Sequence, residues 1–227
     1  MTYRVLLFDA DGTLFDYEKA EAHALQRTFQ AYGLPWRPDY LALYREINTG
    51  LWALLEQGHI RAQAINGERF GQLLQSIAVQ IPAADFSRDY LIHLGNCAEL
   101  IEGADETIAA LASRYHLAIL TNGLKDVQRS RLAHSPIQPY ISELIISEEV
   151  GAAKPDAAIF AAAFERLGNP GKPEVLMIGD SLSSDIRGAA GFGIDACWYN
   201  PLSSPRPAGL PIAYEIGRLE ELLVLLG

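Results

Sequence analysis

Five short apolar runs punctuate the chain, at Val5–Phe8, Leu117–Leu120, Leu144–Ile146, Val175–Ile178 and Ile194–Trp198. Each ends in a polar or glycine-bearing turn, and most are followed by a segment with apolar residues at helical spacing. Runs this short, without a polar alternate face, read as strands buried inside a parallel sheet. Helical periodicity over Asp105–Ser113, Leu124–His134, Asp156–Leu167 and Ser183–Gly191 fills the intervals after residue 100. Strand and helix in alternation, with short connections, predict a Rossmann-like α/β core with a doubly wound parallel sheet.

The first run stands apart from the other four. Between Tyr17 and Leu100 no strand pattern occurs; helical periodicity runs through Glu18–Tyr32, stopped by Gly33 and Pro35, and through Asp39–Gln57, stopped by Gly58. Arg61–Val79 and Asp85–Glu99 continue it. An all-helical block of roughly 80 residues is far longer than an ordinary strand-to-helix connection. The organisation it predicts is an α/β core made of residues 1–16 and 101–227, with an all-helical cap, residues 17–100, inserted between the first two strands. Only the Pro-rich loop Asn200–Pro211 interrupts an otherwise regular text.

Of the 227 residues 49% are hydrophobic and 20% charged, enough apolar surface to bury a sizeable core. The 18 basic residues, 14 Arg and 4 Lys scattered singly, face 28 acidic ones, and a net charge of −10 speaks against general binding of a nucleic-acid polymer. Cys97 and Cys197 have neither zinc-ligand nor disulfide spacing and read as two buried free thiols of a reducing compartment. The apolar stretch Tyr3–Phe8 is too short for a signal peptide, and no uncharged run approaches the ~18 residues of a membrane span. The expected location is the cytoplasm, with no membrane partner; nothing in the sequence chooses between monomer and homodimer.

In open α/β sheets ligands bind beyond the carboxyl ends of the strands. After the first strand stands Asp9-Ala10-Asp11-Gly12-Thr13. Two carboxylates two residues apart on an extended segment point to the same side. Gly12 lets the chain turn sharply and bring backbone N–H groups to an anion. One carboxylate can attack while the other handles a proton, and their repulsion is relieved by a hard divalent cation, Mg²⁺ above all. As a lone motif the segment also reads as an acidic helix cap. Thr121-Asn122-Gly123, after the second strand, offers donors to an anion or is simply a turn. In Lys154-Pro155-Asp156, Pro155 suits the first turn of the next helix and aims Lys154 away from it as a point charge. After the fourth strand, Gly179-Asp180-Ser181-Leu182-Ser183-Ser184-Asp185 carries a second pair of acids, or a helix N-cap supplied by Asp180 or Ser183.

In this order, D-A-D-G-T, T-N-G, K-P and G-D-x-x-x-x-D resemble the four signature motifs of the haloacid dehalogenase superfamily of phosphohydrolases. The resemblance spans the whole chain, the helical insert lying where that superfamily carries its cap. It implies that Asp9 is a nucleophile forming an aspartyl-phosphate, and that Asp11 protonates the leaving oxygen and then deprotonates the attacking water. It implies Mg²⁺ on the Asp9 carboxylate, the Asp11 backbone carbonyl and Asp180, with Asp185 assisting through water or by orienting Lys154. Thr121 and the Asn122 N–H would hold phosphate oxygens, and Lys154 would offset negative charge. Asp11 speaks against dehalogenation. Lys19, the one lysine between Tyr17 and Leu100, sits beside the first motif, which speaks against phosphonatase chemistry. A sugar phosphatase or phosphomutase remains the rival reading, and a non-catalytic phospholigand-binding module a remoter one.

Finer similarity points to one class of small phosphorylated substrate. Asn48-Thr49-Gly50-Leu51-Trp52, Gly58-His59-Ile60, Arg69-Phe70 and Ile146–Gly151 resemble the bacterial pyrimidine 5′-nucleotidases. Trp52 could stack on a base and Asn48 could read its polar edge. Taken alone, Trp52 reads first as cap core and Arg69 as a surface ion-pair residue. Glu102-Gly103-Ala104 stands where relatives carry Pro-Gly-Ala, a departure that bears only on the hinge of the insert. The histidines, His23, His59, His93, His116 and His134, have no metal-ligand spacing.

Overall fold

A computed structural model describes residues 3–56, 59–60 and 62–227. Gln57, Gly58 and Arg61, which carry the expected stop and start of the second and third cap helices, lie outside the described residues. In chain order the elements are β1 (Val5–Phe8), α1 (Tyr17–Ala31), α2 (Pro38–Glu56), α3 (Ala62–Ser76), α4 (Ala83–Gly95), α5 (Ala104–Leu111), β2 (His116–Thr121) and α6 (Lys125–Ala133). There follow β3 (Ile141–Ile146), α7 (Ser147–Val150), α8 (Ala157–Arg166), β4 (Val175–Gly179), α9 (Arg187–Phe192), β5 (Asp195–Tyr199), β6 (Tyr214–Ile216) and α10 (Glu221–Leu225). They fall into two compact units, one of residues 1–18 and 98–227, the other Lys19–Cys97.

The first unit is the Rossmann-like α/β core. Its strands are all parallel, in the order β3-β2-β1-β4-β5-β6. Alternate side chains feed two cores: Leu6, Phe8, Leu176 and Ile178 pack with α5 and α10 residues such as Ile108 and Leu222. Val5, Leu7, Val175 and Met177 pack with Ile159 and Phe160 of α8 and Ala189 of α9. Both faces being covered explains why these strands read as unbroken apolar runs. The strand order reverses between β1 and β4, and Phe8 lies level with Ile119 of β2 and Ile178 of β4. Segments leaving these three strands therefore emerge together at the crevice where such sheets bind ligands. The chain leaves this unit and returns to it side by side, Phe15 pairing antiparallel with Leu100.

The second unit contains α1 to α4 and no strand among its described residues. Its interior is aromatic: Phe29, Tyr44, Phe70, Phe86 and Tyr90 are completely buried, and the Phe70 ring lies 4.9 Å from Tyr90 and 5.3 Å from Phe86. Arg69 does not lie at the surface, where its charge would place it. It is 2% exposed, with its guanidinium 5.0 Å from the Phe70 ring centroid and 5.1 Å from that of Tyr90. A planar, weakly hydrated cation is accommodated by aromatic faces that an ammonium would tolerate less well.

Other boundaries also move. β6 was not expected from the sequence, β3 begins at Ile141 rather than Leu144, and α4 ends at Gly95. Cys97 and Cys197 are buried free thiols. No helix among the described residues is long and apolar enough to cross a membrane.

Candidate active site

Lys154 organises the crevice. Its side chain is 1% exposed, and its ammonium donates to Asp9 Oδ1 at 2.5 Å and to the Leu120 carbonyl at 2.6 Å, and pairs with Asp185 Oδ1 at 2.7 Å. Three acceptors match the three donors of an ammonium. The backbone of Lys154 is clamped as well: its N–H donates to Asn122 Oδ1 at 2.8 Å, and its carbonyl accepts from Asn122 Nδ2 at 2.9 Å. The two motifs after β2 and before α8 are thus locked to each other through one amide side chain. Thr121, buried at the end of β2, accepts from the Gly123 N–H at 3.0 Å. Pro155 does not begin α8. Asp156 caps that helix, accepting from the Ala158 N–H at 2.9 Å, so Pro155 lies before the cap.

The segment after β4 supplies the remaining acids. Ser181, not Asp180 or Ser183, is the capping residue; its hydroxyl accepts from the Ser184 N–H at 3.2 Å at the start of a single π-turn, Leu182–Ile186. That wide turn carries Asp185 back under the strand end, where Oδ2 accepts from the Ser181 N–H at 3.0 Å while Oδ1 faces Lys154. Asp180 is held from two sides, its carboxylate by the Thr13 hydroxyl at 3.3 Å and its carbonyl by Trp198 Nε1 at 2.9 Å. Gly12 has φ +85, and a Cβ there would stand 2.8 Å from Asp180 Oδ2. Both the left-handed backbone and the close carboxylate exclude a side chain at this position.

Asp11 lies differently from the sequence expectation. The chain bends at Ala10 rather than running on extended, and the two carboxylates have separate partners. Asp9 meets Lys154; Asp11 accepts from Gln128 Nε2 and from the Arg131 guanidinium, both on α6.

Charge decides what this arrangement can hold. One carboxylate oxygen from each of Asp9, Asp180 and Asp185 lies within 4.8 Å of the others. Burial pushes the Asp9 carboxyl well above the usual range; Lys154 pulls it down, while Asp185 and Asp180 push it up. Burial and then the Asp185 charge push Asp180 up to about 6. Burial disfavours the charge on Lys154, yet Asp185 and Asp9 outweigh it and hold the ammonium above its ordinary value. Three carboxylates against one ammonium leave two negative charges, which a hard divalent cation with oxygen ligands balances, so the donor set fits magnesium.

The structure therefore brings Asp9, Lys154, Asp180, Asp185 and Asn122 into one network, with Asp11 and Thr121 on the same strand ends. Asn48 and Trp52 belong to the helical unit, both on α2. Asn48 is buried and its Oδ1 faces Arg69 Nη1 at 3.4 Å, while Trp52 is half-buried. Trp198, Gln128 and Arg131 are contributors the sequence reading did not reach. For the last two a signal exists: on α6 they share the buried stripe with Val127 and Leu132, a place for apolar residues.

Comparison with known proteins gives a consistent picture. A family model described as haloacid dehalogenase-like hydrolase matches residues 3–193. Bacillus subtilis YfnB, named a HAD-hydrolase, is 37% identical over 224 residues, covering 99% of this chain and 95% of its own. Its crystal structure, described as bound to magnesium, superposes with a TM-score of 0.94 over the full length of both chains, at 36% identity. The pyrimidine 5′-nucleotidase PynA of Streptococcus pneumoniae is 33% identical, covering 98% of this chain and 94% of its own. The pyrimidine 5′-nucleotidase YjjG of Escherichia coli is 31% identical, covering 100% and 99%.

Proposed function

The chain belongs to the haloacid dehalogenase-like hydrolase family, and on that premise we propose that it is a magnesium-dependent phosphomonoesterase that hydrolyses pyrimidine nucleoside 5′-monophosphates. The observation that carries the chemistry is the buried Asp9–Lys154–Asp185 network beside Asp180, with a second carboxylate two residues after Asp9. The nucleotide preference is supported by the near full-length similarity to two proteins named as pyrimidine 5′-nucleotidases.

In this reading an Asp9 oxygen attacks phosphorus while the bond to the leaving oxygen breaks, and Asp11 gives its proton to that oxygen. Water then attacks the phosphoryl group on Asp9, Asp11 takes the water's proton, and the bond to Asp9 breaks to return the free carboxylate. Lys154, oriented by Asp185, balances negative charge beside the nucleophile, and Thr121 and the Asn122 N–H hold phosphoryl oxygens. The Asp9 and Asp180 carboxylates and the Asp11 carbonyl would hold magnesium, which when bound would neutralise charge on the phosphoryl group. Residues 17–100 act as a cap in which Asn48 and Trp52 recognise the nucleoside.

The test is release of inorganic phosphate, with and without Mg²⁺, across nucleoside monophosphates, sugar phosphates and other small phosphoesters. Pyrimidine nucleotides should turn over, activity should vanish reversibly with EDTA, and Asp9→Asn should be inactive. Inert nucleotides beside a rapidly hydrolysed sugar phosphate would remove the nucleotidase reading and leave the phosphatase one. Normal turnover by Asp9→Asn would remove the mechanism.

A further inference from the structure

Arg131 is an unusual core residue. It is among the largest fully buried side chains of the molecule, and its guanidinium sits 4.5 Å from the centroid of the buried Phe15 ring. Burying a cation is costly unless it meets a carboxylate or another strong acceptor. Asp11 is a carboxylate it meets, through Oδ1. Gln128, one turn earlier on α6 and 2% exposed, donates its amide to the other oxygen, Oδ2, at 2.5 Å. Both oxygens of Asp11 are therefore fixed by one helix, and both donors are themselves packed in place. The turn after β2 is shaped to allow it: a Cβ at Gly123 would stand 2.2 Å from Gln128 Nε2 and 2.8 Å from its Cγ. Asp11 itself is only part-buried, so the fixed carboxylate keeps an open side.

We propose that Gln128 and Arg131 are positioning residues for the leaving-group step, holding the Asp11 carboxyl in the one orientation from which it can pass a proton to the departing oxygen. The proposal rests on the reading of Asp11 as general acid and base. A proton donor held loosely loses its advantage, because a misplacement of about 1 Å in a reacting group costs on the order of 10²-fold in rate. That loss falls on leaving groups that need the proton and spares those that depart readily as anions.

Substituted phenyl phosphates test this directly, since shape stays nearly constant while leaving-group basicity varies. Wild type, Asp11→Asn, Gln128→Leu, Arg131→Met and Arg131→Lys are compared by kcat and KM, with Mg²⁺ present. For Gln128→Leu and Arg131→Met the fall in kcat should grow from about threefold with p-nitrophenyl phosphate to about 10²-fold with phenyl phosphate, with KM nearly unchanged. Arg131→Lys, which keeps charge but not the fork, should fall between. A loss equal across the series, or one confined to KM, in Gln128→Leu overturns the positioning role while Asp11→Asn keeps its steep dependence. A flat loss in Asp11→Asn overturns the acid–base reading, and the positioning role with it. Should Arg131→Met fail to fold, Gln128→Leu and Arg131→Lys decide the matter alone.

Discussion

At the scale of single residues, the site is a problem of buried charge that Lys154 solves. Asp9 and Asp185 are tolerable in the crevice because one ammonium faces both. Removing one partner of a buried ion pair typically costs about 3–5 kcal/mol. Lys154→Met should therefore lose that much stability in urea unfolding, and Lys154→Met with Asp185→Asn should recover part of it; a single variant as stable as wild type would contradict the account. Cys197 gives a second expectation. Burial, helped by the Glu221 charge, pushes its thiol up to about 12, from an ordinary value near 9. Above pH about 9 the unfolded chain loses this proton while the folded chain keeps it, so stability is intact below that pH and falls as pH rises towards 12. Between pH 9 and 10.5 Cys197→Ala should lose about 1.6 kcal/mol less than wild type; parallel profiles would contradict it. Short motifs place Asp9, Asp11, Lys154 and Asp180 beyond strand ends, and they stand there in the fold; the roles given to them remain proposals. Trp198 carries no local mark, because a tryptophan in a buried strand reads as core; Gln128 and Arg131 carry only a faint one, polar residues on the buried stripe of α6, which names no partner.

At the scale of elements, apolar runs mark β1, β2, β4 and β5 because those strands are buried on both faces, whereas in the edge strand β3 only the C-terminal half is apolar, ending in the buried Ile145 and Ile146. β6 escaped notice for the converse reason: Tyr-Glu-Ile is three residues long, carries one exposed acid and follows a Pro-rich loop. The start of α8 differs from the sequence expectation. Proline suits a first helical turn, yet Asp156 takes the capping position and Pro155 stays outside it, which leaves the Lys154 backbone available to Asn122. Asp156→Ala should lower unfolding free energy by about 1 kcal/mol, the usual value of such a cap, measured by urea denaturation; no change would mean that the Asp156 bond to Ala158 adds nothing. Arg69 is buried despite its charge because charge guides exposure only where no aromatic cluster can accept a cation.

At the scale of the whole molecule, the proposed function asks a chain of net charge −10 to hold a phosphate ester, which is feasible because its acids are not spread evenly in their effect. The reversal of strand order at β1 and β4 gathers Asp9, Asp180 and Asp185 where a divalent cation and Lys154 can invert the local sign. The rest of the acidic surface still disfavours a polyanion. The helical unit was visible as a break in the strand–helix alternation, whereas its aromatic interior was not, because helical periodicity specifies a buried face without saying which faces meet. The central claim is that Asp9 becomes covalently phosphorylated. Rapid acid quenching of the protein with ³²P-labelled nucleoside monophosphate and Mg²⁺ tests it most directly. An acid-stable, hydroxylamine-labile label should appear on the peptide containing Asp9 and be absent from Asp9→Asn. Steady hydrolysis with no label at any quench time, or a label that persists in Asp9→Asn, would contradict it.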